Sequence, residues 1–423
     1  MLALPNHDAA EVGDTQGNIA NCNGKLHQQR ILYITYDGIL EPLGYSQVLR
    51  YLTRLAPGRQ IALISFEKRE DWMDIARRRG MTAEIARAQI KWIALTYHKR
   101  PTILATTWDV LRALIVSLYL VSRYRIAVVH ARSYVPSLIA LTLKRVSRTR
   151  FIFDMRGFWA DERVDGGLWR QDSRLYRWAK SLERRFLTQA DAVISLTHSA
   201  VTEMRKFDYL RGREPDFHVI STCTDLEAFR PRKKHYPVGG LTLGYVGTAG
   251  TWYLMDPAAE CFRLFLEVDP RGRGLILNRG EHRAILKCLQ EHQVPLERVE
   301  MKAVTATEMP EEIGAIDAAV FFIKPVFSKK ASAPTKLGEL LAAGIPCLTG
   351  AGIGDVDEIL HAERVGIVVE RVDAQELAQA VESLIALARE PDISTRCRAA
   401  ARRYFSLDMG VQAYARVYDA LSP

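Results

Sequence analysis

Phe229-Arg-Pro-Arg-Lys-Lys-His-Tyr-Pro-Val-Gly-Gly240, followed at once by the apolar run Leu241-Thr-Leu-Gly-Tyr-Val246, decides how the chain is divided. Two prolines, a glycine pair and clustered cations break regular structure, whereas the run after them has the composition of a buried strand. Before the break, apolar β-rich runs at 30–36, 60–66, 90–96, 127–130, 151–155, 192–196 and 218–220 alternate with longer helical patterns. After it the alternation restarts, with runs at 241–246, 274–277, 299–303, 318–323, 346–348 and 366–369. Near-continuous apolar strands separated by helices imply a parallel sheet covered on both faces. The expected class is α/β, with two doubly wound, Rossmann-like domains facing a cleft. The expected divisions are a poorly ordered tail over 1–28, a first domain over 29–229, a linker over 230–240 and a second domain over 241–405. A final helix over 406–423 is expected to pack back on the first domain.

At 423 residues, 48% hydrophobic and 25% charged, the chain suits two soluble domains. The longest apolar helical run, 110–121, is short of a membrane span and carries Arg112. It reads as a buried or interfacial helix. No secretory leader is visible, so a cytoplasmic location is expected. Cys22, Cys223, Cys261, Cys288, Cys347 and Cys397 are scattered and read as free thiols. Residues 1–230 hold 35 Lys and Arg against 24 Asp and Glu, so the excess of a chain of net charge +9 sits in the first half. Either the charge is an ordinary solvated surface, or that half faces an anionic acceptor or the inner face of an anionic membrane. Arg77, Arg78, Arg79, Lys99, Arg100, Lys144, Arg145, Arg148 and Arg150 are the candidate contacts. Nothing suggests a nucleic-acid partner.

The segment Ser332-Ala-Pro-Thr335-Lys336-Leu-Gly-Glu339-Leu-Leu-Ala-Ala-Gly-Ile-Pro346 follows a strand and opens a helix near Thr335. Free N–H groups and the positive end of the helix dipole suit a phosphate there, and Lys336 adds a point charge. Glu339, one turn on, could accept hydrogen bonds from ribose hydroxyls; an ordinary exposed Lys–Glu helix pair is the plainer reading. The turn Gly247-Thr248-Ala-Gly250 and Arg279 offer further amides and charge, although Arg279 reads equally as a surface cation. Asp355-Val-Asp357 resembles a metal-binding DxD pair but reads as a turn and helix N-cap, so no metal and no cofactor are expected.

These residues resemble family-4-like retaining glycosyltransferases of the GT-B fold over roughly 30–420. Glu339 with Ala-Ala-Gly-Ile-Pro after it looks like the second half of that family's E-x7-E signature. Ala331 stands where the first Glu would fall. The resemblance implies a nucleotide-sugar donor (a UDP- or GDP-sugar) held by Gly247, Thr248, Gly250, Arg279, Ser332, Thr335, Lys336 and Glu339. It implies a glycan or lipid-linked acceptor near Gly44, Tyr45, Asp161 and Glu162. His130 and Arg156, at two strand ends, become the catalytic candidates; a structural His130 remains open. The implied activity is retaining, metal-independent hexosyl transfer in cell-surface polysaccharide or glycolipid synthesis. A nucleotide-sugar epimerase, or a binding protein without catalysis, would fit the same fold.

Overall fold

The structure, a computed structural model, describes residues 29–100, 102–231 and 240–421. The expected tail and most of the expected linker lie outside those residues. The first sheet contains β1 (Gln29–Thr35), β2 (Arg59–Glu67), β3 (Lys91–Thr96), β4 (Val128–Arg132), β5 (Arg150–Asp154), β6 (Ala192–Ser195) and β7 (Phe217–Val219). The second contains β8 (Thr242–Val246), β9 (Arg273–Leu277), β10 (Val299–Lys302), β11 (Ala318–Val320), β12 (Cys347–Gly350) and β13 (Gly366–Val369). Their orders are β3-β2-β1-β4-β5-β6-β7 and β10-β9-β8-β11-β12-β13, parallel throughout. Each sheet therefore reverses its order once, between β1 and β4 and between β8 and β11. Doubly wound sheets bind ligands outside the carboxyl ends of the strands at such points.

Each sheet has an apolar cluster on both faces, which is why its strands read as unbroken apolar runs. Cys223, Cys261, Cys288, Cys347 and Cys397 are free. The helix Leu407–Ala420 belongs to the first domain's packing: Leu407, Tyr414, Val417 and Tyr418 are buried with Ile31, Tyr33 and Leu52.

One helix needs a correction to the sequence reading. The apolar run at 110–121 is the middle of a longer helix, Thr102–Tyr124, whose stretch Leu104–Tyr124 is long and apolar enough to cross a membrane. Thr106, Thr107 and Trp108 near its start, together with the charges at Asp109, Arg112 and Arg123, hid that length from a search for unbroken apolar residues.

Tyr418→Ala should cost about 3–5 kcal/mol, because it empties a fully buried aromatic site that docks the last helix. Met409→Ala, on the exposed face of that helix, should stay within about 0.5 kcal/mol of the parent. Urea unfolding of both variants measures the difference.

Candidate active site

A cavity of about 560 Å³ lies between the two domains, at the carboxyl ends of both sheets. Its first-domain wall includes Tyr36 and Asp37 after β1, Arg132 and Ser133 around the end of β4, and Arg156 to Trp159 after β5. Its second-domain wall includes Trp252 and Tyr253 after β8 and the segment Ser332, Ala333, Pro334 and Thr335.

The floor on the first-domain side is organised by Asp154, fully buried at the end of β5. Its Oδ2 accepts from Tyr414 Oη at 3.2 Å and lies 3.4 Å from His130 Nε2 and 3.8 Å from Arg132 Nη1. Arg156 Nη1 lies 3.7 Å from its Oδ1. Burial alone would raise the Asp154 carboxyl, but Arg156, His130 and Arg132 together hold it down to about 2. Arg156 and Ser133 have positive φ, at 55° and 70°. Non-glycine residues hold such angles only where surrounding contacts over-determine them, and here both follow strand ends at the cavity.

His130 does not reach the cavity. It is fully buried, with Nδ1 2.8 Å from Tyr418 Oη, and burial lowers its pKa so that it is neutral near pH 7. The catalytic expectation for His130 is therefore corrected to a positioning one, acting through Asp154. Asp161 is corrected as well: its carboxylate accepts from Tyr176 Oη at 2.7 Å and from Lys180 Nζ at 2.9 Å in a network away from the cavity lining. Gly44 and Tyr45 are not among the lining residues either. Gly44 packs so tightly that a Cβ would fall 1.9 Å from Gly38 O, which gives it a steric role in the loop. Glu162 does line the cavity, and its Oε1 accepts from Lys329 Nζ at 2.7 Å across the domain interface.

Lys329 was not anticipated. It is buried, lines the cavity, and its ammonium lies 3.9 Å from the Trp252 ring centroid. In the sequence it is one of two adjacent lysines in a short turn, which gives no sign of burial. The same turn, Phe327–Ala331, places Ala331 in the first domain's apolar cluster, where a carboxylate would be stranded.

On the second-domain side, Ser332 and Thr335 line the cavity at the start of the helix Thr335–Ala342, whose N-cap residue, Pro334, supplies no side-chain cap. Lys336 is buried behind Tyr253, with its ammonium 3.8 Å from that ring's centroid and no hydrogen-bond partner among the described residues. Burial lowers its pKa to about 7, although Glu339 and Glu281 favour the charge. Burial raises Glu339 to about 7, against the pull of Lys336. The two titrate as a pair near neutrality. A Cβ at Gly247 would lie 2.9 Å from Lys336 Nζ, so glycine keeps the space over the ammonium open.

The loop amides differ from one another. Gly247 N donates to Leu277 O, Gly250 N to Tyr253 O, and Ala249 N to Glu281 Oε2. Thr248 N–H has no partner among the described residues. Arg279 is exposed and forms no ion pair with a described residue.

Asp355 corrects the expected N-cap. Its side chain makes no cap bond in its own helix; it accepts from His198 N at 2.7 Å and Ser199 N at 2.9 Å, capping a first-domain helix instead. Asp357 Oδ2 accepts from Gly352 N at 2.8 Å. Among the described residues, the group with metal-ligand spacing is Asp256, Cys288 and His292, none of which lines the cavity.

Residues 47–222 match the family model described as Glycosyl transferase 4-like domain. The match lies within the first domain and covers less than half of the chain. The family-4-like resemblance of the sequence holds there, and the whole chain has the GT-B fold of solved glycosyltransferases. It resembles sucrose-phosphate synthase from Thermosynechococcus elongatus (TM-score 0.67, 16% identity), covering 93% of this chain and 99% of that one. It resembles a glycosyltransferase from Rickettsia africae ESF-5 (TM-score 0.65, 14% identity), covering 93% and 99%. Anabaena HepE, solved with UDP and glucose, aligns at a TM-score of 0.61 and 16% identity over 93% and 100%. No curated protein matches the chain in sequence.

Asp154→Asn should destabilise the fold by about 3–5 kcal/mol, because it leaves Arg132 and Arg156 without their shared buried counter-charge. Urea unfolding at neutral pH tests this, and an Asn variant as stable as the parent would contradict the assignment of Asp154 as the floor's organiser.

Proposed function

We propose that this GT-B glycosyltransferase moves a sugar from a nucleotide-sugar donor, with retention and without a metal, to a glycan or lipid-linked acceptor in cell-surface polysaccharide or glycolipid synthesis. The observation that carries the reading is Lys336, a buried ammonium without a hydrogen-bond partner among the described residues, in the first turn of an uncapped helix at the cavity. Burying a cation is costly unless a counter-charge arrives, and a diphosphate supplies one. HepE was solved with UDP, which favours UDP as the nucleotide here. Tyr253 must shift for phosphate oxygens to reach Lys336, since its ring stands against the ammonium.

In this reading the helix N-terminus, Thr248 N–H and Lys336 bind the diphosphate, and Glu339 accepts from the ribose hydroxyls. As the glycosidic bond breaks, negative charge grows on the leaving phosphate oxygen and the sugar becomes oxocarbenium-like. Fixed cations and N–H dipoles that meet this charge best in the transition state supply the rate. Arg156, held by Asp154 at the cavity floor, is a first-domain cation placed to do so; as a guanidinium it stabilises charge and does not act as a base. The acceptor hydroxyl would give its proton to the leaving phosphate. With Ala331 buried, Glu162 and Asp37 are the carboxylates lining the cavity that can bind sugar hydroxyls.

Lys336→Ala should weaken UDP binding by roughly 1.5–3 kcal/mol in calorimetry. Phosphate favours the charged ammonium and raises its pKa above about 7, so binding takes up a proton above neutrality. Affinity should therefore fall as pH rises from about 7 towards 9 in the parent and stay flatter in Lys336→Met. Equal affinity and equal pH slope in a folded variant would remove Lys336 from the phosphate site.

Turnover should survive excess chelator, because cations and N–H groups meet the phosphate charge and Asp355 and Asp357 are engaged by backbone amides. Loss of turnover on chelation, restored by magnesium or manganese, would contradict this.

A further inference from the structure

The helix Thr102–Tyr124 turns a large apolar stripe to solvent as well as an apolar face to the core. Leu104, Trp108, Leu111, Ile115, Leu118 and Tyr119 recur at steps of three and four residues and are 40–70% exposed. The face that packs on the protein carries Ala105, Asp109, Ala113, Ser117 and Leu120, flanked by the half-buried Val110, Leu114 and Val121. A surface helix ordinarily buries its large apolar residues and shows small and polar ones to water. Here the outward stripe runs about 22 Å along the axis without a charge on it. An apolar surface of this kind marks an interaction site.

The surroundings choose the occupant. Lys99 and Arg100 precede the helix, Arg112 stands beside the stripe, and Arg123 and Arg125 close it. None of these cations forms an ion pair with a described residue, and the one acid between 99 and 125, Asp109, is buried. Tyr36 Oη and His98 N both donate to its Oδ2 at 3.0 Å. A second copy of the chain on this stripe would bring like charges together, with no exposed carboxylate on the element to neutralise them. An anionic lipid surface suits both features: it takes leucine, isoleucine and an aromatic ring into the acyl boundary and pairs its headgroups with the cations at either end. Since the opposite face packs on the sheet, the helix is built to lie along such a surface and not to cross it.

We propose that Thr102–Tyr124 is an in-plane membrane-docking helix for anionic bilayers, which sets the first-domain wall of the cavity against the lipid surface. The link to the cavity is Tyr36, which lines it and binds Asp109 on the inner face of the same helix. The acceptor that follows is amphiphilic, a sugar on a lipid anchor, presented from the bilayer to the cavity. That last step rests on the transferase reading above; docking itself does not.

The full chain is sedimented with vesicles of phosphatidylcholine alone and of phosphatidylcholine mixed with phosphatidylglycerol. The parent should bind the mixed vesicles, more weakly as salt rises. The double variant Leu111→Glu/Ile115→Glu should lose about tenfold or more of that binding, with its melting temperature and UDP affinity unchanged. In a second measurement, brominated lipid should quench tryptophan fluorescence in the parent and less in Trp108→Phe, a change compatible with folding at an exposed site. Equal vesicle binding by parent and double variant would overturn the proposal, as would quenching unaffected by Trp108→Phe. A parent that ignores vesicles but dimerises, with the double variant monomeric, would assign the stripe to self-association and also overturn it. UDP binding is read separately, so failure of the docking surface and failure of the donor site are distinguishable.

Discussion

The cavity depends on one buried carboxylate. Asp154 ends β5, faces Arg132 from β4 and Arg156 from its own loop, and receives Tyr414 from the final helix. Two guanidiniums at the end of a doubly wound sheet repel each other and lose hydration as they are buried. A fully buried anion between them offsets both costs and fixes their positions. The same contact joins the two extremes of the first domain, since Tyr414 and Tyr418 carry the C-terminal helix onto Asp154 and His130. The strain at Ser133 and Arg156 is held by this network, which sets both guanidiniums against the cavity.

The second domain closes on this floor through short polar contacts that occupy acids of both domains. Asp165 accepts from Ser328 N at 2.9 Å, Glu162 takes Lys329, and Asp355 caps the His198–Arg205 helix. Thr197 Oγ1 donates to Lys330 O at 2.6 Å, and Phe158 stacks on Phe327 with 5.1 Å between centroids. The turn Phe327–Ala331 is thus pinned from two sides, which explains why its last residue is a buried alanine. A carboxylate at that point would be stranded in the apolar packing of the closed domains.

Much of this was legible in the chain. The breaker-rich stretch before Leu241 and the alternation on either side gave two parallel sheets, because strands covered on both faces must be apolar throughout. The start of the helix at Thr335, with Lys336 in its first turn, was readable because helix-capping and charge act locally. What could not be read depends on contacts between distant segments. His130 and Asp161 look like strand-end and loop polar residues until Tyr418, far along the chain, and Lys180, on the next helix, are seen to take them. Lys329 looks like one of two solvated lysines until Glu162 and Trp252 close over it. The Thr102–Tyr124 helix hides its orientation, since an apolar face gives the same periodicity whether it points inward or outward.

The most direct test of the central claim, that the interdomain cavity transfers a sugar from a nucleotide, is proton NMR of the protein incubated with a panel of UDP-, GDP- and ADP-sugars. Slow release of free nucleotide from one of them, with the freed sugar first formed in the anomeric configuration of the donor, is the predicted result. An epimerised nucleotide sugar with no free nucleotide, or no change in any donor that calorimetry shows to be bound, would contradict the account.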